Sequence, residues 1–127
     1  MELVVIVIVL ALVEYMYITF QVGAGRAKYD VPAPAISGHP TFERLYRVQL
    51  NTVEQLVIFL PAIWLFGTFV SAPIAAGIGG VWIVGRFLYF RSYVKDPASR
   101  TVGFVMGFLC NVVLLVGSVI GAAMQLL

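Results

Sequence analysis

The sequence predicts an all-α, integral membrane four-helix bundle. Its composition, the length of its apolar runs and the shortness of its connections lead to this prediction. Hydrophobic residues make up 61% of the 127 residues and charged residues only 11%, whereas soluble domains contain roughly 25% charged residues. Four apolar runs reach the length of about 20 residues that a bilayer-crossing helix needs. We therefore predict a single domain over residues 1–127, with helices at about 3–24, 41–69, 74–94 and 97–126.

The first two predicted helices are separated by a proline-rich loop at 31–35. Helix one is an apolar span with one acidic residue inside it, Glu14. We expect it to end at the Gly-Ala-Gly run at 23–25, because glycines so close together often mark a chain break. Helix two is predicted to begin near Thr41, directly after a proline.

The third and fourth helices follow short connections. A tight uncharged turn around Pro73 leads into helix three, and Asp96 followed by Pro97 is typical of an N-cap with proline at the first helical position. We therefore begin helix four at Pro97. Glycines in helix four form two pairs spaced four residues apart, at Gly103, Gly107, Gly117 and Gly121. Such pairs allow close helix packing, either inside one bundle or between subunits.

The positively charged residues predict how the chain is oriented. All eight Lys and Arg residues lie in two groups, around the first and third connections. They are Arg26, Lys28, Arg44, Arg47, Arg86, Arg91, Lys95 and Arg100. Because cytoplasmic loops of membrane proteins carry an excess of Lys and Arg, we expect loops one and three in the cytoplasm and both termini on the opposite side.

A polar stripe at the start of helix two is the main indication of function. Arg44, Arg47, Asn51 and Glu54 are spaced at i, i+3, i+7 and i+10, which places them on one face of a helix over about 15 Å. A charged residue at the centre of a membrane helix costs roughly 2.5–3.5 kcal/mol. This stripe must therefore face protein, water or a polar ligand rather than lipid.

Helix three repeats the same polar spacing. Arg86, Tyr89 and Tyr93 lie at i, i+3 and i+7, and we expect Arg100 about one turn into helix four. Together with the stripe they predict a half-buried site for a zwitterionic or anionic ligand, because guanidinium groups match carboxylates and Glu54 can meet an ammonium group. The alternative is an internal Arg–Glu ion pair that only holds the bundle together.

Two segments share a pattern that is more specific than either segment alone. Residues 42–54 read Phe-Glu-Arg-Leu-Tyr-Arg-Val-Gln-Leu-Asn-Thr-Val-Glu, residues 85–93 read Gly-Arg-Phe-Leu-Tyr-Phe-Arg-Ser-Tyr, and Arg100 follows. This pattern resembles the MAPEG family, the membrane-associated proteins in eicosanoid and glutathione metabolism. The resemblance covers essentially the whole chain and is strongest to leukotriene-forming synthases and to type 2 and type 3 microsomal glutathione transferases.

The resemblance implies a homotrimer in which glutathione, as co-substrate, binds between neighbouring subunits. The residues that match glutathione-binding positions are Arg26, Arg47, Gln49, Asn51, Glu54, Arg86, Tyr89 and Tyr93. Arg100 matches the arginine that activates the glutathione thiol. Two positions depart from the synthases of the family, because Gln55 stands in place of a tyrosine and Ala27 in place of an arginine. Neither a metal nor a nucleic acid is expected as a partner.

The resulting prediction is a glutathione transferase, with possible peroxidase activity, that adds the thiolate to a lipophilic electrophile or reduces a lipid hydroperoxide within the membrane. Two alternatives remain open at this point. A member of the same family could bind glutathione or lipid without catalysis. A small multidrug transporter would also fit the chain length, the four spans and Glu14, since such a transporter uses one membrane carboxylate for proton exchange.

Overall fold

The computed structural model describes all 127 residues, which form four long α-helices. Their bounds are α1 Glu2–Lys28, α2 Pro40–Phe69, α3 Ala72–Lys95 and α4 Thr101–Leu126, with one short 3-10 turn at Pro97–Ser99. Each of the four helices is long and apolar enough to cross a membrane. The predicted all-α, four-helix membrane architecture is thereby confirmed.

Helix α1 extends four residues beyond the predicted end at residue 24. It continues through the Gly-Ala-Gly run to Lys28, where the N–H of Tyr29 donates to the carbonyl of Gly25. Gly25 is buried against α2, and a Cβ at this position would lie 2.9 Å from Cδ1 of Leu45. The glycine therefore allows a close helix contact instead of ending the helix.

Helix α4 begins four residues later than predicted. Asp96 does act as an N-cap, but its carboxylate accepts from the N–H of Ala98 in the 3-10 turn. The hydroxyl of Ser99 donates to the backbone carbonyl of Asp96 over 2.7 Å and so stabilises this separate turn. Arg100 is consequently the N-cap residue of α4, and the expectation that it lies one turn inside the helix is wrong.

The core divides the bundle into two halves. The apolar half contains loop two and both termini, and its core is centred on Phe59 and Trp82, whose rings stack at 4.2 Å. The polar half contains loops one and three, and its core runs from Ile18 and Val22 on α1 to Phe90 on α3. The polar side chains described below lie in the polar half or at its border with the apolar half.

Helices α3 and α4 cross at backbone contact. A Cβ on Gly103 would lie 2.7 Å from the carbonyl oxygen of Gly85 and would overlap the backbone nitrogen of Tyr89. Further along α4, a Cβ on Gly117 would overlap the ring of Phe66. Gly103 and Gly117, one glycine of each pair, therefore pack inside the chain. The crossing also brings the start of α4 against Tyr89.

Candidate functional site

An inner cleft of about 230 Å³ opens between α2, α3 and the start of α4. The residues that line it are Asn51, Glu54, Gln55, Arg86, Tyr89, Arg100 and Phe104. Five of these are candidate site residues predicted from the sequence. The fold therefore brings the candidate thiol-activating arginine to the same cavity as four candidate glutathione ligands.

The floor of the inner cleft is a compact polar cluster. Nδ2 of Asn51 donates to the hydroxyl of Tyr89 over 2.6 Å, and Nη1 of Arg86 donates to the backbone carbonyl of Asn51 over 3.3 Å. The Arg86 guanidinium also lies 4.1 Å from the centre of the Tyr89 ring, within cation–π range. Arg86 and Tyr89 are only 4% and 3% exposed. Their packing orients these groups before any ligand binds.

Arg100 lies at the rim of the inner cleft. It is exposed, and Nη1 donates to the backbone carbonyl of Pro97 over 2.8 Å. Because a guanidinium has five N–H donors, this one bond leaves most of them available to a ligand. The close crossing of α3 and α4 at Gly103 holds the rim against the floor.

An outer cleft of about 490 Å³ lies closer to loop one. It is lined by Ile36, Pro40, Glu43, Arg44, Tyr46, Arg47, Leu50 and Tyr93. The rings of Tyr89 and Tyr93 stack at 5.6 Å, so the two clefts are neighbours along one face of the bundle. Arg44 already donates to the carbonyls of Val94 and Lys95 and thereby satisfies the end of α3. Arg47 has no such bond and is exposed.

Two predicted glutathione ligands lie outside both clefts. Nε2 of Gln49 donates to the hydroxyl of Thr19 over 3.2 Å, towards α1. Arg26 donates to the loop-one carbonyl of Ala35 over 2.7 Å, and its guanidinium lies 4.9 Å from the Phe42 ring centre. Within one chain these residues stabilise the contact with α1 and loop one. Their contact with glutathione stays a prediction.

The charges on the exposed face of α2 are unpaired. The one ion pair in the chain joins the N-terminal amino group to Glu2, so the internal Arg–Glu pair considered above is not formed. Arg47 and Glu54 are both exposed on a membrane-spanning helix. Lipid cannot solvate such groups at low cost, so this face requires water, a polar ligand or a second protein surface.

A further acidic residue reaches this region from α1. Glu14 is half-buried, and its Oε1 atom is buried without a hydrogen-bond partner. The charged group that interacts with it is Arg86, although the two do not form an ion pair. On α1, Glu14 lies between Ala11 of the apolar core and Ile18 of the polar-half core, at the border between the two halves.

One polar contact was not predicted from the sequence. Nδ2 of Asn111 on α4 donates to Oε1 of Gln55 on α2 over 3.0 Å. Asn111 is only 4% exposed. The sequence signal for this contact is the amide of Asn111 in the middle of an otherwise apolar span, where an unpaired amide would cost free energy.

Comparisons with known proteins identify one family model and several relatives. The sequence matches the model of the MAPEG family over residues 4–120. It is 44% identical to an uncharacterised protein of Synechocystis sp., over 92% of this chain and 85% of that protein. It is 40% identical to human microsomal glutathione S-transferase 2, over 76% of this chain and 65% of the human protein. Bovine leukotriene C4 synthase is 36% identical, over 66% of this chain and 56% of the synthase.

Proposed function

Because the chain belongs to the MAPEG family, we propose that it is a membrane-embedded glutathione transferase that ionises the glutathione thiol and joins it to a lipophilic electrophile. The observation that carries the proposal is the position of Arg100, at the rim of the cleft whose floor contains Asn51 and Arg86. Relatives described as a glutathione transferase and a leukotriene synthase support this chemistry.

Glutathione carries two carboxylates, one ammonium group and one thiol. Arg47 in the outer cleft and Arg86 in the inner cleft are the cations we assign to the carboxylates, since guanidinium and carboxylate groups form charge-assisted hydrogen bonds. We assign Glu54 to the ammonium group, and the amide and phenol groups of Asn51, Tyr89 and Tyr93 to the peptide. Both clefts would then be used by one extended ligand.

The exposed charges on α2 favour a site that is completed by a neighbouring subunit. In a homotrimer, Arg26 and Gln49 would contribute to glutathione binding together with residues of another copy. Such an assembly would also remove Arg47 and Glu54 from contact with lipid. The basic residues lie around loops one and three, so we place the glutathione end of the site in the cytoplasm.

The proposed chemical step is thiol ionisation followed by nucleophilic attack. A free thiol with a pKa near 8.5 is only about 3% ionised at pH 7, and a neighbouring cation lowers such a pKa by roughly 1–3 units. Arg100 would supply this cation. The sulfur then bonds to the electrophilic carbon while the leaving group departs with its electron pair. With a hydroperoxide, the thiolate would break the O–O bond, and a second glutathione would complete a disulfide with release of alcohol and water.

The test is a glutathione titration of the purified protein in detergent, followed by thiolate absorbance. We expect the wild type to develop the absorbance and to conjugate a chloronitroaromatic acceptor. Arg100→Ala should retain glutathione affinity within a few-fold but lose the thiolate signal and at least about 100-fold in turnover, as when one transition-state donor is removed.

Arg91→Ala is the matched control, because Arg91 is an exposed arginine of α3 that lines neither cleft. Its glutathione affinity, thiolate absorbance and turnover should match those of the wild type. Unchanged thiolate absorbance in Arg100→Ala would refute the role of Arg100. Glutathione binding by the wild type without any thiolate would instead identify a non-catalytic binding protein.

A further inference from the structure

Gln55 and Asn111 form an amide pair that the proposed thiol activation does not use. Asn111 is almost completely buried on α4, and its Nδ2 donates to Oε1 of Gln55 over 3.0 Å. Two apolar side chains would fill the same space in a membrane protein without the cost of burying amides. Amide pairs of this kind join helices in membrane proteins, and this one also involves a residue of the inner cleft.

The hydrogen bond determines which end of Gln55 faces the inner cleft. The carbonyl oxygen of the Gln55 side chain is engaged by Asn111, whereas its Nε2 makes no hydrogen bond within the chain. Gln55 lines the inner cleft beside Arg100 and Phe104. Its two N–H groups are thus available as donors in the cavity where the sulfur would be ionised.

Asn111 acts only through Gln55. It does not line the inner cleft, and its remaining acceptor, Oδ1, is buried without a partner. Leaving Oδ1 unpaired costs free energy, and the one bond that Asn111 makes fixes the orientation of the Gln55 amide. Phe104 supplies an apolar wall on the same side of the cavity.

We propose that Gln55, positioned by Asn111, makes the protein select acceptors on which sulfur attack places negative charge on an oxygen atom. This inference rests on the proposed transferase function and names the class of its acceptor. An uncharged N–H donor beside a developing oxyanion stabilises the transition state more than the ground state. It gives no such advantage to an acceptor that lacks this oxygen.

A 2-alkenal has the required chemistry. The thiolate sulfur bonds to the β-carbon, the alkene electron pair moves through the conjugated system to the carbonyl oxygen, and the enolate then takes a proton from water at the α-carbon. Gln55 donates to the enolate oxygen. A benzyl halide is the contrasting probe, because its electron pair leaves with the halide and no oxygen becomes charged.

The experiment compares kcat/KM for a long-chain 2-alkenal with kcat/KM for a benzyl halide, at saturating glutathione and after subtraction of the uncatalysed rates. In Gln55→Met, the alkenal value should fall by at least about tenfold, mainly through kcat, because a transition-state donor is lost. The benzyl halide value and the thiolate absorbance should stay within about twofold, since the thiol-activating group Arg100 is untouched.

Two further variants test the positioning role. Asn111→Leu should lower the alkenal value by a smaller factor, because Gln55 remains but is no longer held. The kcat/KM of the double variant for the alkenal should be no lower than that of Gln55→Met alone, because the effects of residues that act through one another do not add. Gln125→Met, at an exposed glutamine far along α4, is the matched control and should change neither value.

If the ratio of kcat/KM for the alkenal to kcat/KM for the benzyl halide is the same in Gln55→Met as in the wild type, the inference is wrong. The proposed transferase function is not affected by that result. A wild-type protein that forms no thiolate and turns over neither acceptor would overturn the transferase function, and this inference with it. The thiolate signal therefore separates the two failures.

Discussion

In the apolar half of the bundle Phe59 stacks on Trp82 at 4.2 Å, whereas in the polar half Arg47 and Glu54 have no partner within the chain. The apolar half buries a large core within one chain, and its surface groove of about 510 Å³ is lined mainly by apolar residues. The polar half contains two open clefts lined by polar groups, and the unpaired charges of Arg47 and Glu54. We therefore expect stability to depend mainly on the apolar half and glutathione binding mainly on the polar half.

The largest effect should come from the apolar half and should concern stability alone. Phe59 is completely buried, and Phe59→Ala should lower the free energy of unfolding by about 3–5 kcal/mol because a cavity forms beside Trp82. The glutathione dissociation constant of the folded fraction should remain within about twofold. Reversible unfolding in mixed micelles, with a glutathione titration below the transition, measures both.

Val57→Ala is the matched control for this prediction. Val57 lies on the outer face of the same helix and is 70% exposed, so its truncation leaves no internal cavity. Its unfolding free energy should stay close to that of the wild type. If Phe59→Ala weakened glutathione binding as strongly as it weakened the fold, the separation between the two halves would be wrong.

The next effect should come from the polar half and show the opposite pattern. Arg86→Met removes the buried guanidinium that we assign to a glutathione carboxylate, so the dissociation constant should rise by roughly 30- to 100-fold, equivalent to about 2–3 kcal/mol. Unfolding stability should be unchanged or slightly raised, because an apolar replacement of a buried charge is often neutral or stabilising. Arg91→Met, outside both clefts, should alter neither quantity.

A loss of several kcal/mol of stability in Arg86→Met, with glutathione affinity preserved, would assign Arg86 to the core instead of the site. Calorimetric titration in detergent gives the glutathione dissociation constant, and unfolding in micelles gives the free energy of unfolding. Both are needed, because reduced binding can result either from a weaker site or from a smaller fraction of folded protein.

The same contrast between the halves explains what could be predicted from the sequence. Composition and run lengths were sufficient for four membrane helices, and the periodicity of Asn51 and Glu54 on α2 was sufficient to place both on the face of the inner cleft. These signals are local to one helix. The glycines at 23–25 were misjudged because Gly25 packs against Leu45 on another helix, and a propensity argument does not contain that contact.

The start of α4 and the partner of Asn111 could not be predicted from the sequence, for related reasons. The bond from Ser99 to the carbonyl of Asp96 selects a 3-10 turn over a helix, which is a difference of one hydrogen-bond partner. Gln55 and Asn111 are 56 residues apart, so their contact depends on the register of α2 against α4. That register follows from close packing in both halves, and periodicity within either helix does not specify it.

The smallest expected effect concerns Glu14, at the border between the halves. Its Oε1 atom has no hydrogen-bond partner and its carboxyl group forms no ion pair. Glutamine has nearly the same shape, so Glu14→Gln should leave glutathione binding within about twofold. Transferase turnover should persist. Glu2→Gln, at the exposed N-terminal end of the same helix, is the control and should also leave glutathione binding unchanged. A proton-coupled transporter would behave differently, because Glu14→Gln would abolish efflux from vesicles. Weaker glutathione binding in Glu14→Gln would mean that the carboxylate holds Arg86 in its binding position, which would extend the polar site on to α1.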